Sequence, residues 1–227
     1  NAETSATEWR VRFHDKDDPD AWLDEQHRFS TYRTAKAPLA ESAHAALVAA
    51  GSVQVSDVTR RERSQAARPP FTTDTLFQAT GSRWGWSPNK TAVLAGKLYE
   101  AGHLTYIRTD STRLATEAVE AGRSLISEAW NAELLGVVAT AEAGAGVQDA
   151  HEAIRPTNFQ LETVPDAEPD AQKLYALVRA GTLASLMVPS QRVTLSLKGQ
   201  CEGLELVLDG SVGWYAELGW RRAFEAL

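Results

Sequence analysis

Cysteine is almost absent from this 227-residue sequence, which contains only Cys201. A disulfide within the chain and a cysteine-rich metal site are therefore excluded, and the composition fits a reducing cytosol. No apolar run approaches the roughly 20 residues that a membrane-spanning helix needs. The N-terminus also lacks the basic and apolar segments of a signal peptide. These absences predict a cytoplasmic protein without membrane contact.

Recognisable metal-binding patterns are missing as well. The five histidines are scattered without the spacing of metal ligands; they are His14, His27, His44, His103 and His151. An Asp-x-Asp triplet at residues 18–20 lies in a proline-containing acidic loop without a flanking strand. Neither a glycine-rich phosphate loop nor a zinc-knuckle pattern occurs, so the sequence predicts no metal site.

Basic residues are outnumbered, with 23 Lys and Arg against 30 Asp and Glu, and the net charge is −7 at pH 7. This balance argues against a freestanding DNA-binding protein, because phosphate contacts need a basic surface. Residues 60–113 are different, since they contain nine basic and four acidic residues. A basic segment on an acidic body is compatible with local binding of one nucleic-acid strand, and equally with chance.

Periodicity predicts strands near both ends of the chain and helices mainly in the middle. Alternation of apolar and polar residues predicts strands at residues 7–13, 27–31, 52–59, 193–197, 204–208 and 210–215. Helical spacing predicts helices at residues 38–50, 88–101, 115–130 and 171–186, with a short helix or turn at 74–80.

A domain junction is predicted at residues 60–70, which lack apolar periodicity and end in a proline pair. The expected fold class is α+β, with a helical domain at 71–189 inserted into a β domain split between 1–70 and 190–227. Small residues and glycines at 139–147 predict a mobile loop. The start at Asn-Ala without Met predicts a fragment of a longer protein.

The densest polar chemistry lies at residues 101–114, whose sequence is AGHLTYIRTDSTRL. After a helix-stopping glycine, nine residues place one phenol, two guanidinium groups, one carboxylate and four hydroxyls together. A tyrosine can act as a covalent nucleophile, arginine binds phosphate oxygens in a bidentate manner, and hydroxyls fix the register of a backbone. By residue types alone a capped polar turn is the more common structure, although the set suits a phosphodiester.

Four segments resemble blocks of type IA DNA topoisomerases, and they occur in one order along the chain. Residues 105–113, TYIRTDSTR, are similar to that family's active-site tyrosine motif, and residues 148–157, QDAHEAIRPT, to its HEAIRP block. Residues 70–76, PFTTDTL, and 95–100, AGKLYE, resemble two further blocks. The resemblance implies a β-rich arch domain carrying an inserted helical domain of helix-turn-helix or winged-helix character, which bears the nucleophile.

The same resemblance implies catalytic roles for three residues. Tyr106 matches the nucleophile that attacks one DNA strand and leaves a 5′-phosphotyrosyl link. Arg108 matches the arginine at the scissile phosphate, where its fixed charge would stabilise the transition state; the alternative is a surface salt bridge with Asp110. His151 matches the family's histidine, which supports the phosphate and the proton relay.

The remaining polar residues of the two motifs are predicted DNA contacts, namely Thr109, Asp110, Ser111, Thr112, Arg113 and Arg155. Because a carboxylate repels a phosphate, Asp110 is expected to hold Arg108 or Arg113 in place. Arg155 either binds DNA or pairs with an acid. On a helical turn, Arg155 would share the face of His151, whereas Glu152 would not.

The family's acidic metal-binding domain, with its catalytic Glu and its Asp-x-Asp motif for Mg²⁺, is not recognisable in this sequence. Mg²⁺ is therefore expected in the full-length enzyme and not on this fragment, which is expected to be inactive by itself. The expected partners are single-stranded DNA and the missing metal-binding domain of the same chain. The alternative function is a non-catalytic winged-helix-type module for single-stranded nucleic acid, in which Tyr106 stacks on a base.

Overall fold

The computed structural model describes residues 8–137 and 152–225, and the chain divides into two compact units. Unit 1 contains Asn1–Arg63 and Gln191–Ala216, and unit 2 contains Ser64–Ser190 and Glu217–Leu227. The chain therefore leaves unit 1 after Arg63, returns to it at Gln191, and leaves it again after Ala216 to end in unit 2. The predicted mobile loop at 139–147 lies outside the described residues.

Unit 1 is built on an antiparallel four-stranded sheet together with one helix. The elements are β1 (Arg10–Val11), α1 (Ala37–Ala50), β2 (Gln54–Gln65), β3 (Ser190–Cys201) and β4 (Leu204–Glu217). The strand order is β1-β4-β3-β2, and Arg10 pairs with Asp209 where β1 meets β4. Helix α1 ends at Gly51, whose φ of 63° suits glycine.

The strand pattern differs from the sequence-based one, and β1 is shorter than the strand predicted at 7–13 while β3 is longer than the one predicted at 193–197. The two runs predicted at 204–208 and 210–215 form the single strand β4, which continues without a break through Asp209 and Gly210. Strand β2 continues past the predicted end at 59 to Gln65, with every residue exposed. Residues 27–31 contain one isolated bridge, from Phe29 to Leu23, between turns at 25–26 and 31–32. The Asp24 carboxylate holds the first turn by accepting the Gln26 and Arg28 amides.

Unit 2 is mainly helical. It contains α2 (Thr73–Trp84), α3 (Pro88–Glu100), α4 (Thr116–Ala129) and α5 (Pro169–Ser185), with short 3-10 segments at Ala132–Leu134 and Gly219–Phe224. Helix α5 is the most buried, and it packs against α3, α4 and the C-terminal 3-10 segment. None of the helices in the described residues is long and apolar enough to cross a membrane.

Local signals explain where α2 and α3 begin and end. Thr72 and Thr75 form a reciprocal capping box at the start of α2, which extends this helix beyond the short segment predicted at 74–80. Gly85, with a φ of 68°, ends it. Ser87 accepts the Lys90 amide and caps α3, so a three-residue turn joins the two helices.

The C-terminal residues differ from the predicted division, which assigned 190–227 to the β domain. From Glu217 onward the chain belongs to unit 2. Trp220 accounts for this, because its amide donates to the Val188 carbonyl at 3.0 Å and its indole N–H to the Gln65 carbonyl at 2.8 Å. Its ring packs on the buried cluster that α4 forms with the end of α5.

Candidate active site

The loop between α3 and α4 carries Tyr106, the candidate nucleophile. Helix α3 ends in a tight turn in which Gly102, with a φ of 78°, donates to the Tyr99 carbonyl at 2.9 Å. The turn directs Leu104 into the core, where only 1% of it is exposed. Two residues later, Tyr106 is 49% exposed. A buried anchor therefore precedes an accessible phenol.

The ring of Tyr106 lies edge-on to the ring of Tyr99, which projects from the last turn of α3. Their centroids are 5.4 Å apart and the interplanar angle is 64°, a geometry that aromatic pairs favour. Tyr99 is also exposed, at 43%. Within the part of the chain that the structure describes, the Tyr106 hydroxyl has no hydrogen-bond partner. The contact thus orients the ring while leaving the hydroxyl available.

The segment after Tyr106 is fixed to the start of α2. Thr73 donates its amide to the Thr109 carbonyl at 2.9 Å, and its hydroxyl accepts the Thr109 amide at 3.0 Å. The same hydroxyl donates to the Ile107 carbonyl at 2.7 Å. Thr109 itself is buried, and its hydroxyl accepts the Ser111 amide at 3.1 Å. Thr109, predicted as a DNA contact, is therefore placed as an internal anchor of the loop.

An extended segment at residues 152–157 runs beside the same loop. Thr105 donates its amide to the Arg155 carbonyl at 3.0 Å, and Arg155 returns its amide to the Thr105 hydroxyl at 2.9 Å. Further along, the Ala153 amide donates to the Arg113 carbonyl at 2.9 Å. The structure thus brings the tyrosine motif and the described part of the HEAIRP block together.

The helical turn considered for this block is wrong for the described residues, because extended backbone from Glu152 to Pro156 uses its hydrogen bonds between segments. The Arg155 guanidinium bonds the Glu152 carboxylate at 2.8 Å through Nε and at 2.6 Å through Nη2. Its Nη1 donates to the Pro156 carbonyl at 3.0 Å. Of the two predicted roles, the structure shows the pair with an acid.

Arg108 and Asp110 are both exposed. In residues 8–137 and 152–225, neither the Arg108 guanidinium nor the Asp110 carboxylate has a hydrogen bond or ion pair. The expectation that Asp110 holds Arg108 or Arg113 is therefore not met. Residues 108–115 have no helical turn to bring i and i+3 side chains together, and exposed ion pairs gain little energy. Arg108 presents its charge two residues from Tyr106.

The remaining predicted residues complete the loop. The Ser111 hydroxyl accepts the Arg113 amide at 3.2 Å, and Thr112 is exposed. His151 lies outside the described residues. Among the residues that are described, no three His, Cys, Asp or Glu side chains could together hold a metal ion.

Thr73 and Tyr99 are two site residues that the sequence did not single out. Both lie within the segments at 70–76 and 95–100, whose sequences resemble blocks of type IA DNA topoisomerases. The signal was present, but it identified segments and not side chains. Their roles depend on contacts across 36 residues for Thr73 and on a ring packing for Tyr99.

Comparison with known proteins shows that nearly the whole chain is similar to one protein family. A sequence profile of the DNA topoisomerase family matches residues 5–226. DNA topoisomerase 1 of Escherichia coli strain K12 is 35% identical over 192 residues, which cover 82% of this chain and 22% of that protein. DNA topoisomerase 1 of Pseudomonas aeruginosa is 36% identical over 181 residues, covering 77% and 21%.

A solved structure agrees with these similarities. Full-length topoisomerase I from Thermotoga maritima superposes with a TM-score of 0.64 at 31% sequence identity, covering 76% of this chain and 29% of that one. The chain spans about a fifth of the length of the two curated relatives, at 22% and 21%. What is shared is therefore one part of a larger protein.

Proposed function

We propose a function from one established premise: this chain belongs to the type IA DNA topoisomerase family. In this proposal the chain supplies the tyrosine that cuts one DNA strand, before another strand passes and the cut is resealed. The observation that carries it is an exposed Tyr106 in a loop fixed on both sides, with the Arg108 guanidinium nearby and without an ion-pair partner among the described residues.

The proposed step is attack of the Tyr106 hydroxyl oxygen on the phosphorus of one phosphodiester. The O–P bond to tyrosine forms as the bond from phosphorus to the 3′-oxygen breaks. The 5′-phosphate then remains on Tyr106, and the 3′-oxygen leaves and takes up a proton. The phenol proton passes to a relay that includes His151. Resealing is the reverse reaction, so both ends must be retained.

Arg108 is proposed to bind the scissile phosphate. A guanidinium presents two parallel N–H donors to phosphate oxygens, and its fixed charge stabilises the charge that accumulates in the transition state. An arginine already engaged in an ion pair would have to break that pair first. Because Arg108 has no such partner among the described residues, it reaches a phosphate without that cost.

The exposed residues of the loop are proposed to position the strand. Ser111 and Thr112 offer neutral hydroxyl donors, and Arg113 offers charge, so that they fix the register of the backbone without reading its sequence. Asp110 would repel a phosphate and is therefore proposed to face a base or a solvent-filled gap.

The complete protein is needed for turnover in this proposal. A general acid for the 3′-oxygen contributes about 10² to 10⁴ in rate, and the opposite wall of the DNA site contributes positioning. We assign both to the acidic metal-binding domain of the same protein, together with Mg²⁺. The chain alone is thus expected to bind single strands weakly and to relax no supercoiled plasmid.

Adduct formation by the complete protein tests the proposal. A single-stranded oligonucleotide labelled at its 3′ end should become attached to wild-type protein, because the 5′-phosphate of the downstream piece is the bonded group. Tyr106→Phe should abolish the labelled band, and Tyr99→Phe, which retains the nucleophile, should keep it. A labelled adduct on Tyr106→Phe would refute the assignment.

The alternative is a non-catalytic module for single-stranded nucleic acid, and the exposed pair of Tyr99 and Tyr106 favours it, since aromatic rings stack on bases. The same variants separate the two functions. A stacking role survives Tyr106→Phe and is lost in Tyr106→Ala. The strand-cutting role is lost in both variants.

A further inference from the structure

A second feature beside the nucleophile loop is an open pocket of about 400 Å³ within unit 2. It lies between α4 and the segment at residues 155–160. Pockets of roughly 300 Å³ or more are the usual size for small organic ligands. Neither the tyrosine chemistry nor the proposed phosphate contacts use this pocket.

One side of the pocket is small and apolar. Ala118 and Ala121 on α4 contribute only methyl groups there, and Phe159 contributes a ring that is otherwise buried. Short side chains on a helix leave a flat space in which a planar group can lie. This wall suits a heterocyclic ring better than a charged or branched group.

The other side carries side-chain amides. The Asn158 side-chain oxygen, Oδ1, accepts the backbone N–H of Gln160 at 2.9 Å. Within the described part of the chain, the amide nitrogen of Asn158 and the side-chain amide of Gln160 have no partners. Carboxamides pair with the donor and acceptor groups on the edge of a base. The pocket therefore combines a flat wall with a hydrogen-bonding edge.

Charge at the pocket disfavours a phosphate. Arg155 lines it, but the Glu152 carboxylate neutralises its guanidinium at 2.6 Å. Glu117, also in the lining, adds a negative charge. An anionic phosphate would be repelled here, whereas a neutral base would not.

The pocket is tied to the nucleophile by backbone hydrogen bonds. The Arg155 carbonyl accepts the amide of Thr105, the residue before Tyr106, at 3.0 Å. The Thr157 amide donates to the His103 carbonyl at 3.1 Å. The pocket wall and the loop that carries Tyr106 are thus joined through one hydrogen-bonded segment.

We infer that this pocket receives an unstacked base of the strand that Tyr106 cuts, within a few nucleotides of the scissile phosphate. The inference rests on the proposed function. Flipping one base out of the strand would fix the register of the backbone over the phenol, and the carboxamides would give the cut a preference for certain bases. Gln160 is the residue that would contribute most to this preference.

The test combines pocket variants of the complete protein with abasic substrates. Labelled single strands carrying one abasic site, moved along the positions around the cut, should show one position where adduct yield falls about tenfold. Ala121→Trp fills the pocket and should lower the yield on the intact strand by a similar factor. In Ala121→Trp, the abasic site should no longer lower the adduct yield, because a base that the filled pocket already excludes contributes nothing that its removal could take away. Gln160→Ala should change which sites are cut.

Ala129→Trp is the matched control, since Ala129 is exposed on the same helix and does not line the pocket. Equal abasic sensitivity in Ala121→Trp and Ala129→Trp would overturn the inference while leaving the tyrosine chemistry intact. If the wild-type protein forms no adduct that requires Tyr106, the proposed function is refuted instead. In that case, binding of the same abasic series to Tyr106→Phe still decides whether the pocket holds a base.

Discussion

Thr73 and Thr109 hold one another through the Thr73 amide, which donates to the Thr109 carbonyl at 2.9 Å, and through the Thr73 hydroxyl, which accepts the Thr109 amide at 3.0 Å and lies 3.1 Å from the Thr109 carbonyl. Thr73 is the first residue of α2, and Thr109 lies three residues beyond Tyr106. The beginning of one helix thus fixes the path of the loop that carries the candidate nucleophile.

Replacing Thr73 by valine should loosen this loop. The change removes the hydroxyl that accepts from Thr109 and donates to Ile107, so the unfolding free energy should fall by about 1–3 kcal/mol. Adduct yield in the complete protein should fall as well. Urea unfolding and the oligonucleotide assay measure the two effects. Thr73→Ser keeps the hydroxyl and should retain most of the stability and most of the adduct yield. An unchanged adduct yield in Thr73→Val would show that other contacts hold the loop.

A buried pair of hydroxyls joins α2 to α3. Thr80 and Thr91 are both 0% exposed, and their hydroxyl oxygens are 2.8 Å apart. Thr80→Val or Thr91→Val alone leaves one buried hydroxyl without this partner and should cost about 1–3 kcal/mol in unfolding free energy. The double valine variant should cost less than the sum of the two. Additive losses in a double-mutant cycle would show that the pair is not coupled.

Local signals made most of the helices predictable. Ser87 and Pro88 identify the start of α3, and Gly51 identifies the end of α1, because each acts through neighbours within four residues. The position of the candidate site in the chain was predicted from the sequence of residues 105–113, since its unusual order of polar residues resembles the family's active-site tyrosine motif. The placement of these side chains was not.

Non-local hydrogen bonds explain what the sequence left open. The segment at 152–157 is extended because its amides and carbonyls pair with residues near 71, 104 and 113, and no local pattern encodes these partners. The same is true of Trp220, which draws the C-terminal residues to unit 2 through Val188 and Gln65. Pairing at such separations is a property of the folded chain.

Replacing Gly96 or Gly219 by alanine should change the unfolding free energy in opposite directions. Gly96 lies inside α3, and a Cβ there would meet nothing within 4 Å. Gly96→Ala should therefore raise the unfolding free energy by up to about 1 kcal/mol. Gly219 has a φ of 51°, and its Cβ would lie 2.4 Å from the Pro189 carbonyl oxygen. Gly219→Ala should destabilise by at least about 2 kcal/mol. Thermal unfolding compares them; equal shifts would contradict the assigned contacts.

Alkaline pH should weaken unit 2 through Tyr175. This residue of α5 is 0% exposed, and its hydroxyl donates to the Leu161 carbonyl at 2.9 Å, with the Asn158 carbonyl at 3.0 Å. Burial raises the pKa of the Tyr175 phenol above its ordinary value of 10.0, while the nearby Arg179 charge opposes the shift. The neutral phenol is therefore favoured in the folded state.

The direction of the pH effect follows from this shift. Below pH 10.0, the ordinary value, both states hold the proton and the stabilising contribution is complete. As pH rises towards the higher pKa of the folded state, the unfolded chain ionises first, so the unfolding free energy falls. Tyr175→Phe removes the group. It should be less stable than wild type by about 1 kcal/mol at neutral pH, but its stability should decline less steeply above about pH 10.

Urea unfolding of both proteins between neutral pH and about pH 11 tests this prediction. Lysines and the other tyrosines titrate in each protein, so the difference between the two curves isolates the phenol at position 175. The difference in unfolding free energy between wild type and Tyr175→Phe should narrow as the pH increases, because wild type loses a contribution that Tyr175→Phe lacks. A constant gap across the whole range would mean that ionising this phenol costs the folded state nothing. Such a result would be incompatible with a buried hydroxyl that donates to a backbone carbonyl.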